Sequence, residues 1–515
     1  MLIRRITFIV LTLICFAAAT AQQPFNGYTL FSPTNGRTTY LINMQGATVK
    51  TWQHSMPGGY ATYLLPDGGL LRPASIANAQ LRGAASSGII EKINWSGNVV
   101  WSYQYSSATY IAHHDIEPMP NGHVLLIAWE VKSAAEAAAK GRLNAQVMWP
   151  DHIVEVAPSG SNGGTIVWEW HAWDHLVQDR DAAKPDYGVV AEHPELLNIN
   201  LKSATPAPPG GGDWLHINGI SYNPEADLIV ISSHFMNEIY VIDHSTTTAE
   251  AAGHSGGRHG KGGDILYRWG NPANYGAPGS MVFDVVHCSA WVPAGLPGAG
   301  NILAFNNAAK ARASVIVELT PPLDGDGNFI LASGQAFGPA APTWSYSGGT
   351  GFYSAHLGGN QRLPNGNTYL TEATEGDFRE VAPDGTVVWE FNYSKEVARS
   401  LRYPADYSGV AELQTSDIGP ATPKSAVLEA SNAPNPFSTS TIISYETPSS
   451  AAVEVVVYDA LGREVRKLSG GESAAGAGQL AWDGRDASGR ALSSGIYYYR
   501  LLTGGQVLNG KMQLR

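Results

Sequence analysis

Over most of this chain the apolar residues fall in short runs, each cut by Gly, Pro, Asn or Asp before it reaches helical length. The stretch from Asp213 to Asp243 shows the rhythm best. Ile217 to Ile220, Leu228 to Ser233 and Ile239 to Ile242 are apolar, and turn residues such as Asn223-Pro224 separate them. This spacing predicts three antiparallel strands. His216 and Asn218 head the first strand, and strand alternation would send both side chains to one face. His234 ends the second.

The same unit recurs. Six apolar runs end on or near a tryptophan: Trp52, Trp101, Trp168, Trp269, Trp344 and Trp389. After most of them comes a His or Tyr, then a Pro-Asn-Gly-like turn and another apolar run. The copies start at Tyr60, His114, His216, His287 and His356, with a degenerate sixth near Tyr403. Six units of roughly 45 to 100 residues, each a few strands, predict an all-β chain whose residues 25–410 form a six-bladed β-propeller. Length differences then fall in loops. The Ala-rich stretch from Ser133 to Arg142 predicts a short helix in one of them. His171 to Gly212 is another long insertion, with room to cover one mouth of the ring. Alternating Val453 to Tyr458 and Gly495 to Arg500 predict a small Ig-like β-sandwich at 432–515, with 411–431 as linker.

Composition narrows the function. Of 515 residues, 57 are Gly, 14 Trp and 23 Tyr, and 15% are charged, which suits short strands and tight turns. A net charge of −12 argues against a partner that is nucleic acid. Residues 1–21 read as a secretory signal peptide: Arg4 and Arg5, an apolar core from Ile6 to Phe16, then Ala19-Thr20-Ala21. Ile14 is too bulky for the position before a lipidated cysteine, so Cys15 is not read as an anchor. The expected location is secreted or outer-membrane surface. Cleavage would leave Cys288 alone, so no intrachain disulfide is expected.

In a propeller the first strand of each blade lines the axial channel, so the His and Tyr of the repeat would meet there. Converging imidazoles can bind a metal, shuttle protons or act as nucleophiles. There is no Gly-x4-Gly-Lys-Ser/Thr loop and no Cys/Ser-x-Pro-x-Arg motif. His54, His123, His152, His254 and His259 are read as loop or turn residues without a role. No cofactor and no metal is assigned, and elemental analysis would test a metal held by the channel imidazoles.

Residues 25 to 410 resemble the bacterial arylsulfotransferases. The resemblance rests on His113-His114-Asp115-Ile116-Glu117-Pro118, Trp149-Pro150-Asp151-His152-Ile153, Asp213-Trp214-Leu215-His216-Ile217-Asn218, Gly263 to Gly270 and Gln361 to Thr368. It implies a six-bladed propeller and a ping-pong transfer from an aryl sulfate to a phenol through a sulfated histidine, with no nucleotide sulfate. His114 (or its neighbour His113), His216 and Asn218 match family active-site positions, and His287 sits where the sulfated histidine is expected. His234 stands where the family usually has arginine. Histidine is charged only below about neutral pH, so rate and pH optimum are expected to differ. Tyr60, His113, His356 and Arg362 are the expected substrate-binding residues; Arg362 and Arg268 are candidates for a replacement cation. The tail resembles the sorting domain of type IX secretion cargo and the Ig-like domain of hook-capping proteins, which implies a secretion-machinery partner. The alternative is a non-catalytic surface propeller, an adhesin or glycan binder with a decayed site. An arginine reaching the channel would separate the two.

Overall fold

Six four-stranded antiparallel sheets follow one another along the first part of the chain, and each is a blade. The computed structural model describes residues 22–83, 85–201, 212–415, 429–447, 451–460, 462–473, 476–503 and 506–515. The leader reading of 1–21 therefore lies outside the described residues, as does most of the expected linker. Blade II runs Tyr63–Leu64, Leu70–Ser75, Gly88–Ile93, Val99–Gln104. Blade III runs Tyr110–Pro118, Val124–Glu130, Asp151–Ser159, Gly163–His171. Blade IV runs Ile217–Asn223, Leu228–Ser233, Glu238–Asp243, Tyr267–Trp269. Blade V runs Val286–Trp291, Ile302–Asn306, Val315–Leu319, Trp344–Ser347, and blade VI Gly359–Arg362, Thr368–Glu372, Asp377–Val381, Val387–Asn392. Blade I is composite. Its first strand is Ser400–Pro404, paired to Gly27–Phe31, then Thr38–Ile42 and Thr48–Gln53. The degenerate sixth copy near Tyr403 is thus the strand that closes the ring.

The recurring tryptophans lie on the fourth strands and link each blade to the next. The indole N–H of Trp101 donates to the Gly163 carbonyl, Trp168 to Thr246 Oγ1 and Trp269 to the Pro339 carbonyl. Trp344 donates to the Pro383 carbonyl and Trp389 to the Met44 carbonyl. In every case the acceptor lies in the next blade between its third and fourth strands, or at the first residue of its fourth. Trp52 departs from the rule: it packs edge-on against Trp95 of blade II, ring centres 5.3 Å apart. The Trp389–Met44 bond crosses the seam between blades VI and I. The first strands of neighbouring blades III, IV, V, VI and I touch one another in turn, which places them innermost. In blade IV the second and third strands are buried at every residue, because other blades cover both faces.

The insertions are ordered locally. Ser133 caps the helix Ala134–Ala139 through a reciprocal bond with Glu136. Lys140, just past the helix, pairs with Asp186. The segment after blade III contains a two-stranded parallel ladder, Leu176–Val177 with Leu197–Asn198. Arg268 of blade IV fastens it by donating to the Pro194 and Leu196 carbonyls.

The second unit, Asp417–Arg515, is a sandwich of two sheets. One holds Glu429–Ala433, Thr441–Thr447 and Gly476–Trp482; the other holds Glu464–Ser473, Ala451–Tyr458, Gly495–Thr503 and Gln506–Leu514. Val455, Val457, Trp482, Leu501 and Met512 fill the space between them. Its first strand begins inside the expected linker. No helix among the described residues is long and apolar enough to cross a membrane.

Candidate active site

The inner strands of blades III, IV and V each break register, between Ala112 and Ile116, Ile217 and Gly219, and His287 and Ala290. A bulge re-aims side chains that regular alternation would send sideways. Beside these breaks His114, His216 and Cys288 adopt left-handed backbone, with φ of 51°, 53° and 48°. Gly219 permits the close approach of blades IV and V, because a Cβ there would sit 3.0 Å from the Cys288 Cα. The expectation that His216 and Asn218 share a strand face does not hold. His216 precedes the strand in left-handed conformation, and Asn218 sits in the bulge, so the alternation rule does not apply to them.

A narrow pocket of about 20 Å³ lies among these strands, lined by Tyr60, His114, Asn218, His287, Cys288 and Arg399 among others. His287 is buried. Its Nδ1 is 2.6 Å from Asn307 Oδ1, which only accepts, so Nδ1 carries the proton. Asn307 is itself fixed, donating to the Ser354 and Leu357 carbonyls. Nε2 is left with a lone pair, which takes a long 3.3 Å bond from the Leu357 N–H. Burial pushes the His287 imidazole down to about 3, so it is neutral and nucleophilic at neutral pH.

Three more imidazoles continue from it. Ring centres are 5.3 Å apart for His287 and His234, 5.0 Å for His234 and His216, and 4.5 Å for His216 and His114. Asp213 holds His216 through a 2.5 Å bond to Nδ1. His113 lies behind His114, its Nδ1 2.8 Å from that of His114, and its ring stacks on Trp129. Burial pushes His114 well down and His113 to about 3. Burial and then His287 push His234 to about 2, and its Nδ1 has no partner. His234 therefore stays neutral across the working range, and no titration near neutrality follows from having histidine at this position. Asn218 donates one N–H to the Val286 carbonyl and accepts from Ser232, leaving its second N–H for a ligand.

The cation comes from an unexpected place. Arg399, at the start of blade I's inner strand, lines the pocket. It donates to both carboxylate oxygens of Asp115, at 2.6 and 3.0 Å, and to the Tyr63 hydroxyl. Burial opposes its charge, but Asp115 keeps it firmly protonated. Among the lining residues it is the one permanent cation. Arg362 and Arg268 are elsewhere: Arg362 is held by Glu318 and the Gly366 carbonyl, Arg268 by Glu238. Neither lines this pocket, because each is the buried partner of a carboxylate within the blades. His356 is half exposed, pairs with Glu396 and is not among the lining residues. Tyr60 lines the pocket, its ring 5.7 Å from His114.

Two imidazoles, an amide and one arginine thus line a single pocket. Sequence comparison adds two partial matches. Residues 80–250 match the model of the arylsulfotransferase (ASST) family, and residues 432–504 that of the FlgD Ig-like domain. The first match contains His113, His114, His216, Asn218 and His234; His287 and Arg399 lie beyond it. No curated protein matches the chain. Similar solved structures include a protein of unknown function from Bacteroides caccae, 12% identical, covering 73% of this chain and 98% of that one, with a TM-score of 0.39. FlgD from P. aeruginosa is 32% identical over 15% of this chain and 60% of its own, with a TM-score of 0.13. Hydrazine synthase from Kuenenia stuttgartiensis is 13% identical over 58% and 68%, with a TM-score of 0.32.

Proposed function

We propose that the propeller is an aryl-sulfate sulfotransferase that works by ping-pong through a sulfohistidine at His287. One observation carries this reading: the Asn307 bond fixes the tautomer of His287, so that Nε2 offers a lone pair in a pocket shared with Arg399. At about 20 Å³ the pocket is far smaller than the roughly 300–1,000 Å³ typical of sites for drug-sized ligands, which leaves no room for a nucleotide.

In the first half-reaction the Nε2 lone pair attacks sulfur, the S–O bond to the donor phenol breaks, and phenolate departs with the electron pair. Arg399 and the free N–H of Asn218 hold the sulfuryl oxygens as charge shifts onto the leaving oxygen. The departing phenolate takes its proton from solvent; His114 lines the pocket, and His216, held by Asp213, packs against it and fixes its ring. In the second half-reaction the acceptor phenol gives its proton to the neutral ring of His114, which passes it to solvent, and attacks the sulfur. The N–S bond breaks and neutral His287 is restored. The test is release of nitrophenol from p-nitrophenyl sulfate in the presence of a phenol acceptor. Activity lost in His287→Ala supports the reading. No release with any acceptor would return the propeller to a binding role.

The leader-like residues 1–21 and the Ig-like tail support export to the cell surface, with the tail read by secretion machinery. Fractionation of cells making the chain with and without 432–515 tests this. A tail-less chain that reaches the surface unchanged contradicts it.

A further inference from the structure

A second group of imidazoles lies away from the channel, where the insertion after blade III meets the loop before blade IV's last strand. His175 Nδ1 is 2.8 Å from Asp264 Oδ1, and His254 Nδ1 is 2.7 Å from the same oxygen. These ligand-type atoms all lie within 4.8 Å of one another. His175 is fully buried, and its Nε2 is 2.8 Å from the Ala251 carbonyl. A carbonyl only accepts, so Nε2 carries the N–H of the neutral ring. Nδ1 then points a lone pair at a carboxylate oxygen, and the two repel unless a positive charge sits between them. An imidazole whose other nitrogen donates to a backbone carbonyl is also the usual arrangement of a metal-bound histidine.

The backbone is shaped to this contact. Gly263 has no room for a side chain, because a Cβ would lie 2.7 Å from His175 Nε2 and against the Ala251 carbonyl. His254 is mostly exposed, its side chain 58% accessible, which leaves open coordination positions for water.

We propose that His175, His254 and Asp264 form a site for a zinc-type divalent ion that clasps the blade III insertion to blade IV. Two imidazoles and one carboxylate favour zinc and similar late first-row ions over calcium or magnesium. Ligands at about 2.0–2.2 Å around a tetrahedral ion stand about 3.3 Å apart. Binding therefore needs the Asp264 oxygen to draw back by about half an ångström. This site is independent of the sulfotransfer chemistry, and its test does not read activity.

The full chain, stripped with chelator, is titrated with zinc against a chromophoric competitor, and its melting temperature is followed with zinc and with magnesium. The expected result is one zinc equivalent and a melting temperature raised by zinc but not by magnesium. His254→Ala, a change at an exposed position, should weaken that binding at least about a hundredfold, since losing even an outer-shell partner costs about 10–100-fold, and abolish the thermal shift. Two results would overturn the proposal. If the wild-type chain takes no zinc, the positive charge between His175 and Asp264 is a proton. If His254→Ala binds as tightly as wild type, the metal sits elsewhere, for instance on the channel imidazoles.

Discussion

The outer and inner strands of the same six blades follow different rules. On the outer strands one residue type recurs and does one job: a tryptophan reaches the next blade, five of the six through an indole N–H bond. On the inner strands the residues at comparable places differ, and so do their partners. Asn307 fixes His287, Asp213 fixes His216, and Asp115 fixes Arg399. Ring closure asks the same of every blade, so it is served by repetition. Chemistry at one axis asks something different of each blade, so repetition there has been lost.

Trp168→Ala makes the sharpest cut between the two regions. It removes a buried ring and its bond to Thr246, and should destabilise the first unit by about 3–5 kcal/mol. Urea unfolding measures this, and turnover per folded molecule should be unchanged. Arg399→Lys does the reverse. Folding should survive, while transfer falls about a hundredfold to a thousandfold, because a point charge replaces the fork that spans Asp115 and the pocket. Comparing kcat/KM and melting temperature for this pair checks the division of labour directly.

Acid sharpens the contrast further. In the fold His113, His152 and His287 are pushed by burial to about 3 and His234 to about 2, whereas in the unfolded chain each titrates near 6.5. The unfolded chain therefore binds more protons between these values. The contribution of these histidines to stability is complete above pH 6.5 and falls as pH drops through that window. The proposed nucleophile, His287, stays neutral to about pH 4, so loss of activity on acidification should track unfolding and not its titration. Parallel pH profiles of turnover and melting temperature test this. The smallest effect is expected at the rim. His356→Gln breaks an exposed pair with Glu396 and should change stability by less than about 1 kcal/mol and kcat/KM by less than about threefold.

The outer rule was legible in the sequence because it repeats: tryptophans after apolar runs mark all six fourth strands. The inner rule was legible only in part. His114, His216 and His287 announce themselves by heading strands after each tryptophan, and Tyr403 marks the closing strand even in degraded form. Arg399 carries no such mark. It stands 284 residues from Asp115 and reaches it only because the last strand of the ring pairs with the first. The bulges that turn His216 and Asn218 to different partners were also hidden, since strand periodicity assumes unbroken register. Arg362 looked like a ligand from its motif, but the sequence could not show that Glu318 on blade V holds it.

The most direct measurement is mass analysis of the protein after incubation with p-nitrophenyl sulfate and no acceptor. One sulfuryl group on His287, discharged when phenol is added, is the expected result. Turnover with no histidine labelled, or a label on His114 or His216 in its place, would contradict a transfer that passes through His287.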